Sequence, residues 1–176
     1  MSSDAAPGPR PLGPAFRGRG FDDFQLGEVI RSGARTLTQA DIGAFAGLSG
    51  DFNPAHVDES FASASAFRGT IAHGMLVQSV ASGLAYQTGV FDGTVVAFVE
   101  MTIRFQAPVR PGSSIHLELT VAEKEPNAGP KRAWIRFDAR VFDQSGELVL
   151  DGHWILLIAR AQAKRRYPVR SEDRPG

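Results

Sequence analysis

Two side chains able to move protons lie close together in the segment SGDFNPAHVDESF, residues 49–61. Asp51 offers a carboxylate and His56 an imidazole, a pair that can exchange protons near neutral pH. On one ideal helix, residues five positions apart point roughly 140° apart, so the two side chains would diverge. Pro54 disfavours a helix in any case, and Asn53 before it is expected to shape a turn and is a candidate to bond substrate or water. We therefore expect a loop to bring Asp51 and His56 into one pocket.

A second group of residues suited to chemistry follows in IAHGML, residues 71–76. Gly74 is predicted to start a helix, where the first N–H groups have no partner within the helix and carry partial positive charge. Because glycine has no Cβ, the site suits a carbonyl oxygen that becomes negative during a reaction. Ser82, two turns later, could hold the carboxylate or the substrate carbonyl, or could simply bond a backbone carbonyl of its own helix. For His73, a structural role with its ring hydrogen-bonded to the loop is favoured over a catalytic role.

The helices that must position these residues follow from hydrophobic spacing and capping residues. Thr38 resembles a helix N-cap with Asp41 in the capping-box position, and apolar residues at helical spacing continue to about Gly50. A short helix is expected from about Asp58 to Ala66. The segment 74–88 is apolar on nearly all sides, which is typical of a helix buried within a fold.

Alternating apolar and polar residues predict a sheet after that helix. Strands joined by short turns prefer antiparallel pairing, and an apolar sheet face needs a cover, for which the apolar helix is the candidate. We therefore predict an α+β fold in which a curved antiparallel sheet wraps one long central helix. The predicted strands are 95–105, with its odd-numbered residues buried, 114–121, about 133–141, and 147–159, which is apolar on both faces and expected to be central in the sheet.

Composition limits the organisation and the classes of function. The 176 residues suffice for one domain, placed at 21–160 between a flexible Pro-, Gly- and Arg-rich tail at 1–20 and a basic tail at 161–176. The 19 basic and 19 acidic residues balance, which gives no reason to expect a nucleic-acid partner. The lack of cysteine excludes disulfides and suits a cytoplasmic protein. No stretch has the length of a membrane span, and we expect neither a membrane partner nor a secretory signal.

The string SGDFNPAHVDESFASASAFRGTIAHGMLVQSVASGL, residues 49–84, resembles the MaoC-like, (R)-specific enoyl-CoA hydratases. An Asp, then Asn-Pro, then His, with a downstream His-Gly-Met, is far more specific than any one of these parts. The resemblance implies a hot-dog fold and the addition of water to an enoyl thioester, or the reverse dehydration, without a metal or redox cofactor. It also implies that Asp51 and His56 are catalytic, that the Gly74 N–H binds the thioester oxygen, and that Ser82 is the family's helix serine.

Other interpretations of the same residues stay open. A hot-dog thioesterase typically carries a carboxylate on or near its central helix, but the segment 74–88 contains no Asp or Glu. A non-catalytic acyl-thioester binding subunit would not need both Asp51 and His56. A metal held by His56, Asp58 and a third ligand is disfavoured by the hydrophobic flanks and the lack of cysteine. The expected partners are an acyl-CoA or acyl-carrier-protein thioester substrate and a second copy of the chain, because a hot dog leaves strand edges that pairing would cover.

Overall fold

The computed structural model describes residues 18–126 and 128–160. The predicted C-terminal tail, 161–176, and residues 1–17 of the predicted N-terminal tail lie outside the described residues. Within the described part of the chain, no helix has both the length and the apolar character needed to cross a membrane.

The described chain starts three residues before the predicted domain boundary, and those residues are tied to the fold. The Gly18 N–H donates to the Asp92 carbonyl oxygen at 3.0 Å, and the Arg19 N–H donates to the Val90 carbonyl oxygen at 2.8 Å. The Arg19 guanidinium also bonds the Glu28 carboxylate at 2.5 Å and lowers the pKa of that carboxyl. Residues 18–20 of the predicted flexible segment therefore pack against the domain.

Helices fill the first half of the chain, and long strands fill the second. A short 3₁₀ helix at Phe21–Asp23 precedes β1 (Val29–Arg31), β2 (Arg35–Thr36), α1 (Gln39–Ser49), α2 (Pro54–Val57), α3 (Glu59–Ala64) and α4 (Gly74–Gln87). The remaining strands are β3 (Val95–Phe105), β4 (Ser114–Glu125), β5 (Arg132–Asp143) and β6 (Leu148–Ala159). The long buried helix and all four long strands were predicted from their hydrophobic patterns.

The strands form one antiparallel sheet in the order β1-β4-β5-β6-β3, and β2 also pairs with β4. The register aligns Leu119 with Ala139, Ala139 with Gly152, and Gly152 with Ile103 across the four long strands. Strand β6 lies inside the sheet between β5 and β3, which confirms the prediction made from its two apolar faces.

Helix α4 forms one wall of the core, and the sheet forms the other. Its buried side chains include Leu76, Val77, Val80, Ala81 and Leu84, and the helix packs against β4. The inward residues of β4 and β5 alternate as predicted, and burial of each Leu, Ile, Val or Phe side chain stabilises the fold by about 1.5–3 kcal/mol. The predicted α+β arrangement of one long helix against an antiparallel sheet is confirmed.

Helix α1 has the predicted capping box at its start and a glycine at its end. The Asp41 N–H donates to the Thr38 hydroxyl at 3.1 Å, and the Thr38 N–H donates to the Asp41 carboxylate at 2.8 Å. The backbone and hydroxyl hydrogen bonds from Thr38 lower the pKa of the Asp41 carboxyl. Gly50 ends the helix with a φ of 78°, a left-handed conformation that glycine adopts without steric cost.

The expectation that Pro54 disfavours a helix is wrong for the residues that follow it. Pro54 is the first residue of α2, where a missing N–H leaves no helical hydrogen bond unmade. The Asn53 side chain caps this turn by accepting the Ala55 N–H at 3.0 Å. Asp51 therefore lies in a loop and His56 in a short helix, so the divergence expected on one helix does not arise.

The predicted burial of one face of β3 is also wrong for the single chain. Val95, Val99, Met101 and Phe105 are 37–56% exposed, and β3 pairs only with β6 among the described strands. Two register shifts against β6 interrupt the alternation near the start of β3. Period-two alternation shows which side chains share a face, but it does not show whether anything covers that face.

Gly152 allows β6 to approach β3 closely, since a Cβ there would lie 1.9 Å from the Thr102 carbonyl oxygen. We expect Gly152→Ala to lower the free energy of unfolding by roughly 1–3 kcal/mol, because backbone must move to admit the methyl group. Urea denaturation measures the change.

Gly43→Ala is the matched control, because Gly43 lies on the exposed face of α1 with nothing within 4 Å of the added Cβ. This substitution should raise the free energy of unfolding by about 0.5–1 kcal/mol, since alanine is the better helix former. Equal stability of Gly152→Ala and wild type would show that the two strands are not in such close contact.

Candidate active site

Asp51 lies in the exposed loop between α1 and α2, held by three hydrogen bonds. Its N–H donates to the Ser49 hydroxyl at 3.2 Å, and its carboxylate accepts the Asn53 N–H at 3.2 Å. Its carbonyl oxygen accepts the ring Nε2–H of His73 at 2.9 Å. Of these three bonds, only the one to His73 joins the loop to a distant part of the chain, 22 residues away.

His56 projects from α2 with a defined ring orientation. Its Nδ1 lies 2.9 Å from the Ile71 carbonyl oxygen. A carbonyl oxygen only accepts hydrogen bonds, so Nδ1 must carry the proton of this bond. The other ring nitrogen, Nε2, is therefore the one available to accept or donate a proton in the pocket.

Asp51 and His56 are separated by a distance that suits a shared water molecule. One carboxylate oxygen of Asp51 and one ring nitrogen each of His56 and His73 lie within 4.8 Å of one another. The described side chains of Asp51 and His56 form no direct ion pair, which would bring nitrogen and oxygen to 4.0 Å or less. Two hydrogen bonds of about 2.8 Å that meet at one water with tetrahedral geometry span roughly 4.6 Å. The spacing of the Asp51 carboxylate and the His56 ring therefore leaves room for one water molecule between them.

His73 packs between the elements that carry this pair. It is 2% exposed, its ring centroid lies 3.8 Å from that of His56, and Phe45 on α1 lies 5.1 Å away. The expected hydrogen bond from its ring to the preceding loop is confirmed by the contact with Asp51. The stacking on His56 was not predicted, because sequence spacing gives no distance between rings on separate elements.

Gly74 is the first residue of α4, as predicted, and a neighbouring aromatic ring explains why it is a glycine. A Cβ at this position would lie 2.5 Å from the ring of Phe105, which closes the end of β3 over the helix start. The absence of a side chain thus lets ring and helix meet. Phe105 is a site residue that the sequence reasoning missed, since alternation assigned it only to a buried face.

One cavity of about 420 Å³ connects these features, a size typical of small-molecule sites. Asp51, His56, His73 and Gly74 line it at one side. Its remaining walls are largely apolar, with side chains that include Phe67, Ile71, Val77, Phe105 and Val149. The cavity thus combines a polar pair able to exchange protons with a lining suited to an acyl chain.

The structure does not place Asn53 and Ser82 in this cavity wall. Asn53 caps α2 and bonds the Asp51 carboxylate through its N–H, so it shapes the loop as expected. Ser82 is exposed on α4. It lies about 12 Å along the helix from Gly74 and is rotated by roughly 80°, so the two residues face different surroundings.

Backbone hydrogen bonds occupy several of the atoms that could bind a metal ion. Asp58, expected as one possible ligand with His56, instead accepts the Phe61 N–H at 3.0 Å and caps α3. Asp51, His56 and His73 form a closer group, with the two imidazole planes inclined at 30° to each other. His56 Nδ1 and His73 Nε2 each bond a backbone carbonyl oxygen, which leaves His56 Nε2 and the buried His73 Nδ1 as the remaining ring nitrogens.

Known proteins are similar to this chain in both sequence and architecture. Residues 23–134, more than half of the chain, match the family described as MaoC like domain. The chain belongs to the MaoC-like domain family. An (R)-specific enoyl-CoA hydratase from Rhodospirillum rubrum is 32% identical over 138 residues, which cover 78% of this chain and 90% of that relative.

Solved structures agree with this family assignment. The R-hydratase PhaJ1 from Pseudomonas aeruginosa, in its unliganded form, has a TM-score of 0.67 and 32% identity, with 81% of this chain and 86% of that chain covered. A Mycobacterium tuberculosis protein with a double hotdog fold has a TM-score of 0.73 and 21% identity, covering 84% of this chain and 46% of that chain. The hot-dog fold implied by the sequence resemblance is confirmed.

The hydrogen bonds predict opposite tautomers for the two stacked histidines. Because each bond ends on a carbonyl oxygen, neutral His56 should carry its proton on Nδ1 and neutral His73 on Nε2. Long-range ¹H–¹⁵N correlation spectra recorded at alkaline pH, where both rings are neutral, distinguish these forms, with His56→Gln and His73→Gln spectra providing the assignments. The same tautomer on both rings would contradict this geometry.

Proposed function

We propose that this protein adds water to a trans-2-enoyl thioester to form an (R)-3-hydroxyacyl thioester, and that it also catalyses the reverse dehydration. The observation that carries the proposal is that Asp51 and His56 lie within 4.8 Å of each other in an apolar cavity beside the start of α4. Similarity to proteins named as (R)-specific hydratases supports the same reaction class.

In the hydration direction, a water bonded to both Asp51 and His56 attacks the β-carbon of the enoyl group. The Asp51 carboxylate takes one proton from the water as the new carbon–oxygen bond forms. The protonated His56 ring then gives its Nε2 proton to the α-carbon. His56 is left neutral with its remaining proton on Nδ1, the form that the Ile71 carbonyl stabilises. Transfer of the proton from Asp51 back to His56 restores the starting state.

Gly74 stabilises the negative charge that develops between these two proton transfers. Attack at the β-carbon moves electrons onto the thioester oxygen, which becomes an enolate oxygen. The Gly74 N–H, at the positive end of α4 and in the cavity wall, is the donor proposed for it. The thioester itself makes the α-carbon acidic, so the reaction as written requires no redox cofactor.

Coenzyme A is the proposed carrier of the acyl group, with an acyl carrier protein as the other thioester source to be tested. The named relatives support this choice because the Rhodospirillum rubrum protein is called an enoyl-CoA hydratase. The cytoplasm is the proposed location, which rests on the cysteine-free sequence.

Asp51→Asn and His56→Gln should each lower the hydration rate by at least ~100-fold, because each variant removes one proton-transfer group. The loss of enoyl absorbance from crotonyl-CoA measures the rate. Asp92→Asn and His153→Gln are matched controls outside the cavity and should keep wild-type activity. Full activity in both site variants would show that this pair does not catalyse the reaction.

Parallel measurement of free thiol separates hydration from hydrolysis. A hydratase consumes the enoyl group without releasing thiol, whereas thiol release without hydration would make the protein a thioesterase. Thioester binding with neither reaction would make it a binding subunit.

The partner proposed for the exposed edge of β3 is a second copy of the chain. This edge carries exposed apolar side chains, including Val96 and Val99, and has no neighbouring strand within the described residues. An antiparallel pair of β3 strands centred on Thr102 would place Glu100 opposite Arg104 of the partner subunit, and Arg104 opposite the partner subunit's Glu100. Both residues are exposed in the single chain. A two-fold pairing of this kind covers the edge and matches the charges.

The charges give a direct test of this dimer. Glu100→Arg should weaken dimer association by at least ~10-fold, because it places like charges opposite each other. The double variant Glu100→Arg/Arg104→Glu restores opposite charges and should recover the wild-type association constant. Sedimentation equilibrium measures all three proteins. A monomeric wild type, or a double variant no stronger than the single, would contradict the proposed register.

A further inference from the structure

His73 contacts both members of the proposed proton-transfer pair, although the mechanism gives it no proton to move. It is the only ionisable side chain that is almost fully buried among residues 18–126 and 128–160. It precedes α4 as the N-cap residue, yet its side chain makes no capping hydrogen bond there. The ring instead donates to the Asp51 carbonyl oxygen and stacks on the His56 ring.

We propose that His73 is a positioning residue for Asp51 and His56, an inference that rests on the proposed hydratase function. One ring sets the place of both groups relative to the start of α4. It does so through a hydrogen bond to the backbone of Asp51 and through ring contact with His56, with centroids 3.8 Å apart.

The bond to Asp51 matters because the other hydrogen bonds of the loop that carries the carboxylate join it only to itself and to neighbouring residues of the chain. Residues 50–53 are all exposed, and the bonds of Asp51 to Ser49 and Asn53 each span two residues. Local bonds of this kind move with the loop and do not fix its distance from the core. The His73 ring is anchored in the core, so its bond to the Asp51 carbonyl sets the distance between the carboxylate and Gly74.

Contact with the His73 ring restricts the tilt of the His56 ring, which a single hydrogen bond leaves free. The bond from Nδ1 to the Ile71 carbonyl holds one atom of the ring, around which the imidazole can still tilt. His73 covers one face of that ring at 3.8 Å, and Phe45 lies beside the His73 ring at 5.1 Å. The tilt of His56 is therefore restricted, and Nε2 keeps a constant direction in the cavity.

Burial keeps His73 itself out of the proton transfers. Its Nε2–H is committed to the Asp51 carbonyl, and Nδ1 is buried with no hydrogen-bond partner among the described residues. A proton on Nδ1 would be a buried N–H without an acceptor, in a ring stacked on the His56 imidazole that is charged during hydration. The one polar proton of this ring is thus used in the bond to the Asp51 carbonyl, and His73 takes no part in the proton transfers.

Two substitutions separate the hydrogen bond from the packing. His73→Phe keeps a flat ring against His56 but removes the donor to Asp51. We expect its kcat for crotonyl-CoA hydration to fall by about 10- to 100-fold, because misplacement by about an ångström is enough for such a loss, with KM changed less than ~3-fold. His73→Gln places an amide N–H at about the position of Nε2. Its kcat should therefore be at least ~5-fold higher than that of His73→Phe.

Binding and spectroscopy distinguish positioning from general damage to the fold. The Kd for saturated butyryl-CoA should stay within ~3-fold in both variants, since the apolar walls are unchanged. Amide shifts of Phe52 and Asn53 should move in His73→Phe and return toward wild type in His73→Gln. His116→Phe is the matched control, because this histidine lies outside the cavity, and it should change none of these values.

Wild-type kcat and unshifted loop amides in His73→Phe would overturn the proposal. If His73→Phe does not fold, exchange of the His73 Nε2–H proton in the wild type decides instead. Slow exchange supports a committed bond, and fast exchange overturns it. If the wild type hydrates no enoyl thioester, the proposed function fails, while the loop amides still show whether His73 positions Asp51.

Discussion

The hydrogen bond from the His73 ring to the Asp51 carbonyl joins an exposed loop to the buried start of α4, and the geometry of the site depends on it. Packing does little to fix the position of loop residues near solvent, since few neighbours surround them. The His73 ring, a donor anchored in the core, holds the loop in place where packing does not. The cost of burying a histidine is reduced because its one polar proton has an acceptor and its faces lie against other rings.

The core that anchors this ring consists of α4 and the inward faces of the long strands. Helix α4 is buried along most of its length, and Gly74 at its start lines the cavity. Hydrogen bonds and partial charges act more strongly there than in bulk solvent. The end of β3 approaches the same place through Phe105, so the sheet edge, the helix start and the loop meet at one cavity.

Two differences from expectation have a common origin. Pro54 begins a helical turn because it occupies the first helical position, where its missing N–H leaves no helical hydrogen bond unmade. Val99 and Met101 are exposed because β3 lies at the edge of the sheet and its pairing shifts register twice. In both cases the local pattern was identified, but its meaning depended on position within an element or a sheet. The position of β3 in the sheet depends on contacts far along the chain, whereas that of Pro54 follows from the adjacent cap residue Asn53.

The sequence by itself determined the buried helix, the four long strands, the capped start of α1 and the presence of Asp51, His56 and Gly74 in one short region. Periodicity and capping are local properties, so residue order is enough to reveal them. Tertiary structure alone decided that His73 stacks on His56, that Phe105 closes over Gly74, and that Ser82 lies away from the cavity. These relations join residues on separate elements, and their distances follow from how the whole core packs around α4.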